Sequence, residues 1–163
     1  MKTIGIISDT HGTFDNALRR FLAPCDEIWH AGDIGSIEIA DQIAAYRPLK
    51  AVWGNIDGGN TRVAYRQWQS FACEDVRVLM THIGGYPGRY DKGVQEKMSL
   101  EKPGILITGH SHILKVMFDK KNDLLFINPG AAGNYGFHHV RTAVRLNIDG
   151  ARISDLEVGE WER

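Results

Sequence analysis

Short apolar runs alternate with stripes of apolar residues at helical spacing along the first third of the chain. Ile4 to Ile7 form a nearly continuous apolar run, which suits a strand covered on both faces. Ser8-Asp9-Thr10-His11-Gly12 interrupt it, and Phe14, Leu18, Phe21 and Leu22 then recur at helical spacing behind Thr13 as the expected N-cap. The pattern repeats. Ile28-Trp29 lead to His30-Ala31-Gly32-Asp33, and Ser36 can cap a helix whose inner face is Ile37, Ala40, Ile43 and Ala44, ended by Pro48. Leu49 to Trp53 predict a third strand, closed by Gly54-Asn55-Ile56-Asp57-Gly58-Gly59. Two βα units and a strand imply a parallel sheet with right-handed crossovers.

The rhythm then changes. Arg62 to Cys73 read as a short hairpin, and Val76 to Met80 as an apolar strand ending in Thr81-His82. A Gly/Pro/Tyr-rich loop and a short helix around Val94 and Met98 fill residues 84 to 103. Ile105 to Ile107 predict a strand that runs into Thr108-Gly109-His110-Ser111-His112. The remainder reads as antiparallel: strands near Ile113–Phe118 and Leu124–Ile127, then Val140–Ile148 and Arg152–Val158 around the turn Asp149-Gly150.

Five predicted strands therefore end within a few residues of a metal-ligand type: Asp9 and His11, Asp33, Asn55, His82, and His110 with His112. In an open α/β sheet, function gathers outside the carboxyl ends of the strands, so these seven residues should converge on one edge of one sheet. Asp9/His11 and His110/His112 are i, i+2 pairs, whose side chains point the same way in extended backbone. Gly12, Gly32, Gly54 and Gly109 allow the sharp turns beside them. A lone His or Asp at a strand end is ordinarily a hydrogen-bonded or turn residue. Ligand types at all five ends are a different matter, because clustered carboxylates repel one another without a cation. Seven ligands exceed the four that a structural zinc needs, and two ions sharing a carboxylate fit better. Imidazole, carboxylate and amide oxygen without thiolate suit Mn, Fe, Co, Ni or Zn more than Mg or Ca.

With these residues in this order, the chain resembles the calcineurin-like metallophosphoesterase family. The matching segments are Asp9-x-His11, Gly32-Asp33, Gly54-Asn55, Thr81-His82 and Gly109-His110-x-His112. Asn128-Pro129-Gly130-Ala131 is similar to the segment closing the site in the family's small prokaryotic phosphodiesterase branch. The resemblance implies a four-layer α/β/β/α sandwich of two packed mixed sheets flanked by helices. It implies two divalent transition-metal ions per chain, with manganese favoured. Asp9, His11, Asp33 and His112 would hold the first, and Asp33, Asn55, His82 and His110 the second. Asp33 would bridge them, and a hydroxide between the ions would be the nucleophile. Catalysis would then centre on Asp33, Asn55 and His82, hydrolysing a small phosphate ester. Many family members have His where this chain has Ile56, a side chain that can neither donate a proton nor bond a phosphate. Good leaving groups such as aryl phosphates are expected in consequence. The family's competing roles are nuclease and metal-binding interaction scaffold, and homo-oligomers occur among its members.

Other residues carry two readings each. His30 orients a ligand or packs within its strand, and Asp57 orients a ligand His or closes a turn. Arg89 clamps a phosphate or is a solvated loop charge. His138 and His139 line the cleft, reach a neighbouring subunit, or sit on a surface loop. Composition narrows the partners. The 163 residues fit one domain, 1–163, and a formal charge of −1 argues against an extended nucleic-acid surface. The apolar start is too short for a signal-peptide core and no stretch approaches a membrane span, so a cytoplasmic location is expected. Cys25 and Cys73 read as separate buried thiols.

Overall fold

The computed structural model describes residues 1–163. Its elements in chain order are β1 (Lys2–Ile7), α1 (Asn16–Leu22), β2 (Glu27–His30), α2 (Ile37–Tyr46), β3 (Leu49–Ala51), α3 (Gly59–Ala64), β4 (Trp68–Cys73) and β5 (Val76–Thr81). There follow β6 (Gly85–Tyr86), β7 (Arg89–Tyr90), α4 (Lys92–Glu101), β8 (Ile105–Ile107), β9 (Leu114–Asp119), β10 (Leu124–Pro129), β11 (Val140–Asp149) and β12 (Arg152–Glu162). Two five-stranded mixed sheets result, ordered β12-β11-β1-β2-β3 and β4-β5-β8-β10-β9, with β6-β7 as a separate pair.

Side-chain alternation explains the layering. Ile4 and Ile6 of β1, Val78 and Met80 of β5, and Ile105 and Ile107 of β8 share the core between the two sheets. Their neighbours point outward: Ile7 joins Leu18, Leu22, Ile28 and Ile43 under α1 and α2, whereas Leu79 and Leu106 join Val94 and Met98 of α4. Strands buried on both faces read as continuous apolar runs, and here each face meets a different layer. The expected α/β/β/α sandwich is present.

Several local expectations are corrected. The candidate ligands leave strands of both sheets, since β1, β2 and β3 lie in one and β5 and β8 in the other. They do not share one edge of one sheet, because strand-end signals carry no information about which sheet a strand joins. Arg62–Cys73 is not a hairpin. Arg62 and Val63 belong to α3, and the hairpin is β4 with β5, paired from Trp68↔Thr81 to Cys73↔Val76. α3 has no side-chain cap and buries only Thr61, so it leaves no helical stripe in the sequence. Asp15, not Thr13, caps α1: its carboxylate accepts from Leu18 N at 3.2 Å, while Thr13 N is engaged by Thr10 O. Ser36 caps α2 as expected. Pairing of β10 with β8 is parallel, so the second half is not wholly antiparallel.

Ile6 is fully buried between the sheets whereas Val63 is 88% exposed on α3. Ile6→Ala is expected to cost about 2–5 kcal/mol and Val63→Ala less than about 0.5 kcal/mol, read from urea midpoints at an unchanged m-value.

Candidate metal centre

The five strand ends place their polar loops side by side, and backbone hydrogen bonds lock the loops together. Asp9 N donates to Gly32 O, His11 N to Asp33 O, and Gly109 N to His82 O. Five of the seven candidate ligands adopt positive φ: Asp9 (53°), His11 (45°), Asp33 (55°), His110 (72°) and His112 (62°). The i, i+2 pairs thus do not converge through extended backbone. They converge through left-handed turns, which are strained for residues with a Cβ and cluster at functional sites.

Each carboxylate has one oxygen tied down and one aimed inward. Asp9 Oδ2 accepts from Ser8 Oγ (2.6 Å) and His110 N (3.1 Å). Its Oδ1 is buried without a hydrogen-bond partner and lies 3.2 Å from His112 Nε2 and 3.7 Å from His11 Nε2. Asp33 Oδ1 accepts from Ile56 N at 3.0 Å, and Oδ2 lies 3.5 Å from His11 Nε2 and 3.2 Å from His82 Nε2. His82 Nδ1 donates to the carbonyl of Ala31 at 2.7 Å, which turns Nε2 toward Asp33 Oδ2. Asn55 Oδ1 sits 3.0 Å from both His82 Nε2 and His110 Nδ1.

The donor atoms thus fall into two groups, Asp9/His11/His112 and Asp33/His82/His110, with Asp33 Oδ2 near both His11 and His82. Edges of roughly 3.4 Å are what a tetrahedron of ligands about 2.1 Å from a metal requires. The donor set fits a divalent cation on a second count: Asp9 Oδ1 and His11 Nε2 are both buried and orphaned, a costly state that an ion between them removes. Charge agrees. Burial works against the ionised forms of Asp9 and Asp33, yet contacts from His11 and His112 on Asp9, and from His82 on Asp33, outweigh it and hold both carboxyls below the usual range. Burial likewise opposes the His82 cation, and Asp33 and Asp9 raise its pKa nevertheless.

The surrounding candidates resolve differently. Asp57 touches no ligand histidine. Its carboxylate accepts from Ile34 N (3.1 Å), Gly35 N (3.0 Å) and Gly54 N (2.9 Å), which staples the Asp33 loop to the Asn55 loop. His30 is fully buried and contacts no candidate ligand side chain. Its Nδ1 accepts from Gly32 N at 3.1 Å and its Nε2 donates to Thr10 Oγ1 at 2.9 Å. Burial pushes the His30 pKa down to about 4, so the ring is neutral. Asn128 Nδ2 donates to Gly109 O (3.0 Å) and Ser111 Oγ (3.1 Å), fastening the closing segment to the His110 loop. Arg89 is exposed on β7 and is not brought to the centre. His139 is exposed, whereas His138 Nδ1 approaches His112 Nδ1 at 3.1 Å. Ser8, Thr10 and Tyr135, whose ring lies 5.1 Å from that of His11, carried no signal in the sequence. Serine and threonine beside a ligand are too common to stand out.

Comparison with known proteins shows the family. Residues 1–151 match the model of the calcineurin-like phosphoesterase superfamily domain, and the chain belongs to that family. A probable metallophosphoesterase of Methanothermobacter thermautotrophicus is 30% identical over 161 residues, covering 95% of this chain and 90% of that protein. A phosphodiesterase of Methanocaldococcus jannaschii is 25% identical over 150 residues, covering 81% and 85%. In fold, the chain is similar to Vps29 of Chaetomium thermophilum, with a TM-score of 0.76 at 15% identity over 100% of both chains.

Two outcomes follow from the packing. A Cβ on Gly54 would collide with the Asp33 carboxylate. Gly54→Ala should therefore lower zinc or manganese affinity about 10–100-fold, measured by chelator competition on protein whose circular dichroism is unchanged. For His30, the unfolded ring takes up a proton near pH 6.5 and the folded one only near pH 4. The unfolded chain binds more protons in that window, so stability falls as pH drops through it, by about 3 kcal/mol in all. Urea unfolding of metal-free protein should show this loss reduced in His30→Gln relative to wild type.

Proposed function

We propose that the protein is a binuclear metal-dependent phosphodiesterase acting on a small phosphate ester. The observation that carries this is the position of Asp33 Oδ2, 3.5 Å from a nitrogen of one donor group and 3.2 Å from a nitrogen of the other. Asp9, His11, Asp33 and His112 hold one ion; Asp33, Asn55, His82 and His110 hold the second. The nitrogen and oxygen donors suit manganese, with zinc, iron, nickel or cobalt as substitutes. When bound, two such ions supply a hydroxide nucleophile near neutral pH for in-line attack and neutralise phosphate oxygens.

The chain's own residues supply the rest. Asp33 is fixed by the Ile56 amide and His82 by the Ala31 carbonyl, so neither reorganises when the phosphate arrives. Asn55 is exposed at the cleft and can donate its amide NH₂ to a phosphate oxygen while its Oδ1 faces the histidines. Ile56 lines the same cleft and offers no proton to a departing alkoxide. The leaving group must therefore be a weak base.

Space favours a diester. A cleft of about 700 Å³ over the centre, walled by Tyr135 and Phe137, and a second cavity of about 480 Å³, walled by Tyr86 and Lys115, share His110, Ser111 and Ile113. Room on both sides of the phosphate position suits an ester with two arms, and the relative named a phosphodiesterase agrees. No helix is long and apolar enough to cross a membrane. The two buried free thiols, Cys25 and Cys73, suit a reducing compartment such as the cytoplasm.

Metal-stripped protein reloaded with Mn, Zn, Ni, Co, Mg or Fe should take up two ions per chain. It should hydrolyse bis-p-nitrophenyl phosphate faster than p-nitrophenyl phosphate, and aryl esters far faster than alkyl esters. Asp33→Ala and His82→Ala should fall to background. Equal turnover of alkyl and aryl esters would remove the role given to Ile56. Tight metal binding without any hydrolysis would favour the interaction scaffold that the likeness to Vps29 keeps in play.

A further inference from the structure

His138 lies outside both groups of donor atoms, yet it is bound to one of them. Its Nε2 is 2.8 Å from the carbonyl oxygen of Gly133. A carbonyl only accepts, so this nitrogen carries the proton and His138 Nδ1 keeps a lone pair. That lone pair faces His112 Nδ1 at 3.1 Å. The contact is a hydrogen bond only if His112 carries its own proton on Nδ1. In the neutral ring, His112 Nε2 then keeps the lone pair, and it is this atom that lies 3.2 Å from Asp9 Oδ1.

The chain of contacts closes on itself. Gly133 N donates to the backbone oxygen of Asp9 at 3.2 Å. The carboxylate of Asp9 therefore faces His112 from one side, while its backbone anchors the residue that orients His138 on the other. The loop carrying His138 is itself pinned: the Arg163 guanidinium donates to the carbonyls of Gly136 and His138. Gly136, at φ +135°, has no room for a side chain, because a Cβ there would strike the His112 ring. The imidazoles of His112 and His138 meet edge-on, with centroids 5.0 Å apart at 74°.

We propose that His138 is a positioning residue of the metal centre: with the Gly133 carbonyl, it holds His112 in the Nδ1–H tautomer and so presents His112 Nε2 beside Asp9 Oδ1. This rests on the metal-centre reading of Asp9, His11 and His112. This role needs no contact between His138 and the substrate, although His138 also lines the cleft. Fixing tautomer and ring orientation is the usual work of groups hydrogen-bonded to a ligand histidine, and their loss costs about 10–100-fold in metal affinity.

Two measurements test it. Long-range ¹H–¹⁵N spectra of the imidazoles in metal-free protein at pH 8 should show His112 as one tautomer, protonated at Nδ1, and His138 as the opposite one. In His138→Phe the His112 signals should become those of a mixture. Zinc titration calorimetry of wild type should then show two ions. His138→Phe should weaken one of them about 10–100-fold and leave the other unchanged, while His138→Gln, which keeps an acceptor and a donor, recovers part of the loss. Gly136→Ala, which retains His138 but crowds the His112 ring, should weaken the same ion. A His138→Phe protein that keeps both affinities, or a His112 tautomer that does not respond to it, overturns the proposal. Wild type that takes up no zinc brings down the metal reading, and the imidazole spectra then decide alone whether His138 sets the tautomer.

Discussion

Two carboxylates and four imidazoles cannot share a mostly buried site unless every atom in it has a reason to face its neighbours. Asp9 is fully buried and Asp33 nearly so. Each has one oxygen held by donors from the chain and the other aimed at histidine nitrogens. An unpaired carboxylate in such a place is costly, and two of them repel one another. The imidazoles offset part of this, and a cation held between the two groups would offset the remainder. The layout of the loops, the left-handed turns and the polar staples behind them all serve that one electrostatic problem.

The sandwich solves the problem by aligning strand ends from two sheets. β1, β2 and β3 deliver Asp9, His11, Asp33 and Asn55 from one sheet, and β5 and β8 deliver His82, His110 and His112 from the other. The apolar core between the sheets sets the distance across which these groups meet. Because interiors are packed like solids, that distance is stiff. The strained turns at Asp9, His11, Asp33, His110 and His112 are maintained by packing and hydrogen bonds around them, not by local preference.

Behind the candidate ligands lies a layer of polar groups that tie the loops together. Asp57 joins the second and third loops through three backbone amides. His30 joins the first to the second through Thr10 and Gly32. Asn128 fastens the loop after β8. Arg141, buried, reaches Asp15 with two nitrogens and the Ala132 carbonyl with a third, which steadies the segment leading to Gly133. Every one of these groups is satisfied, which is what lets buried polar networks rigidify a site instead of weakening it.

Much of this was legible in the residues alone. The apolar runs before Asp9, Asp33, Asn55, His82 and His110 located the strands, because strands covered on both faces need apolar side chains throughout. The coincidence of ligand types at five strand ends marked the candidate site, because clustered carboxylates repel one another unless positive charge lies between them. What the sequence could not carry was anything that depends on which strand lies beside which. The division of the strands between two sheets, the parallel pairing of β10 with β8, the short α3 without an apolar stripe and the Asp15 cap held by distant Arg141 are all set by contacts between residues far apart in the chain. The same holds for Asp57, which staples loops instead of orienting a histidine, for Arg89, which faces solvent, and for His138, which meets His112 across 26 residues. Local periodicity records burial and turn chemistry. Partners chosen by tertiary packing leave no mark in it.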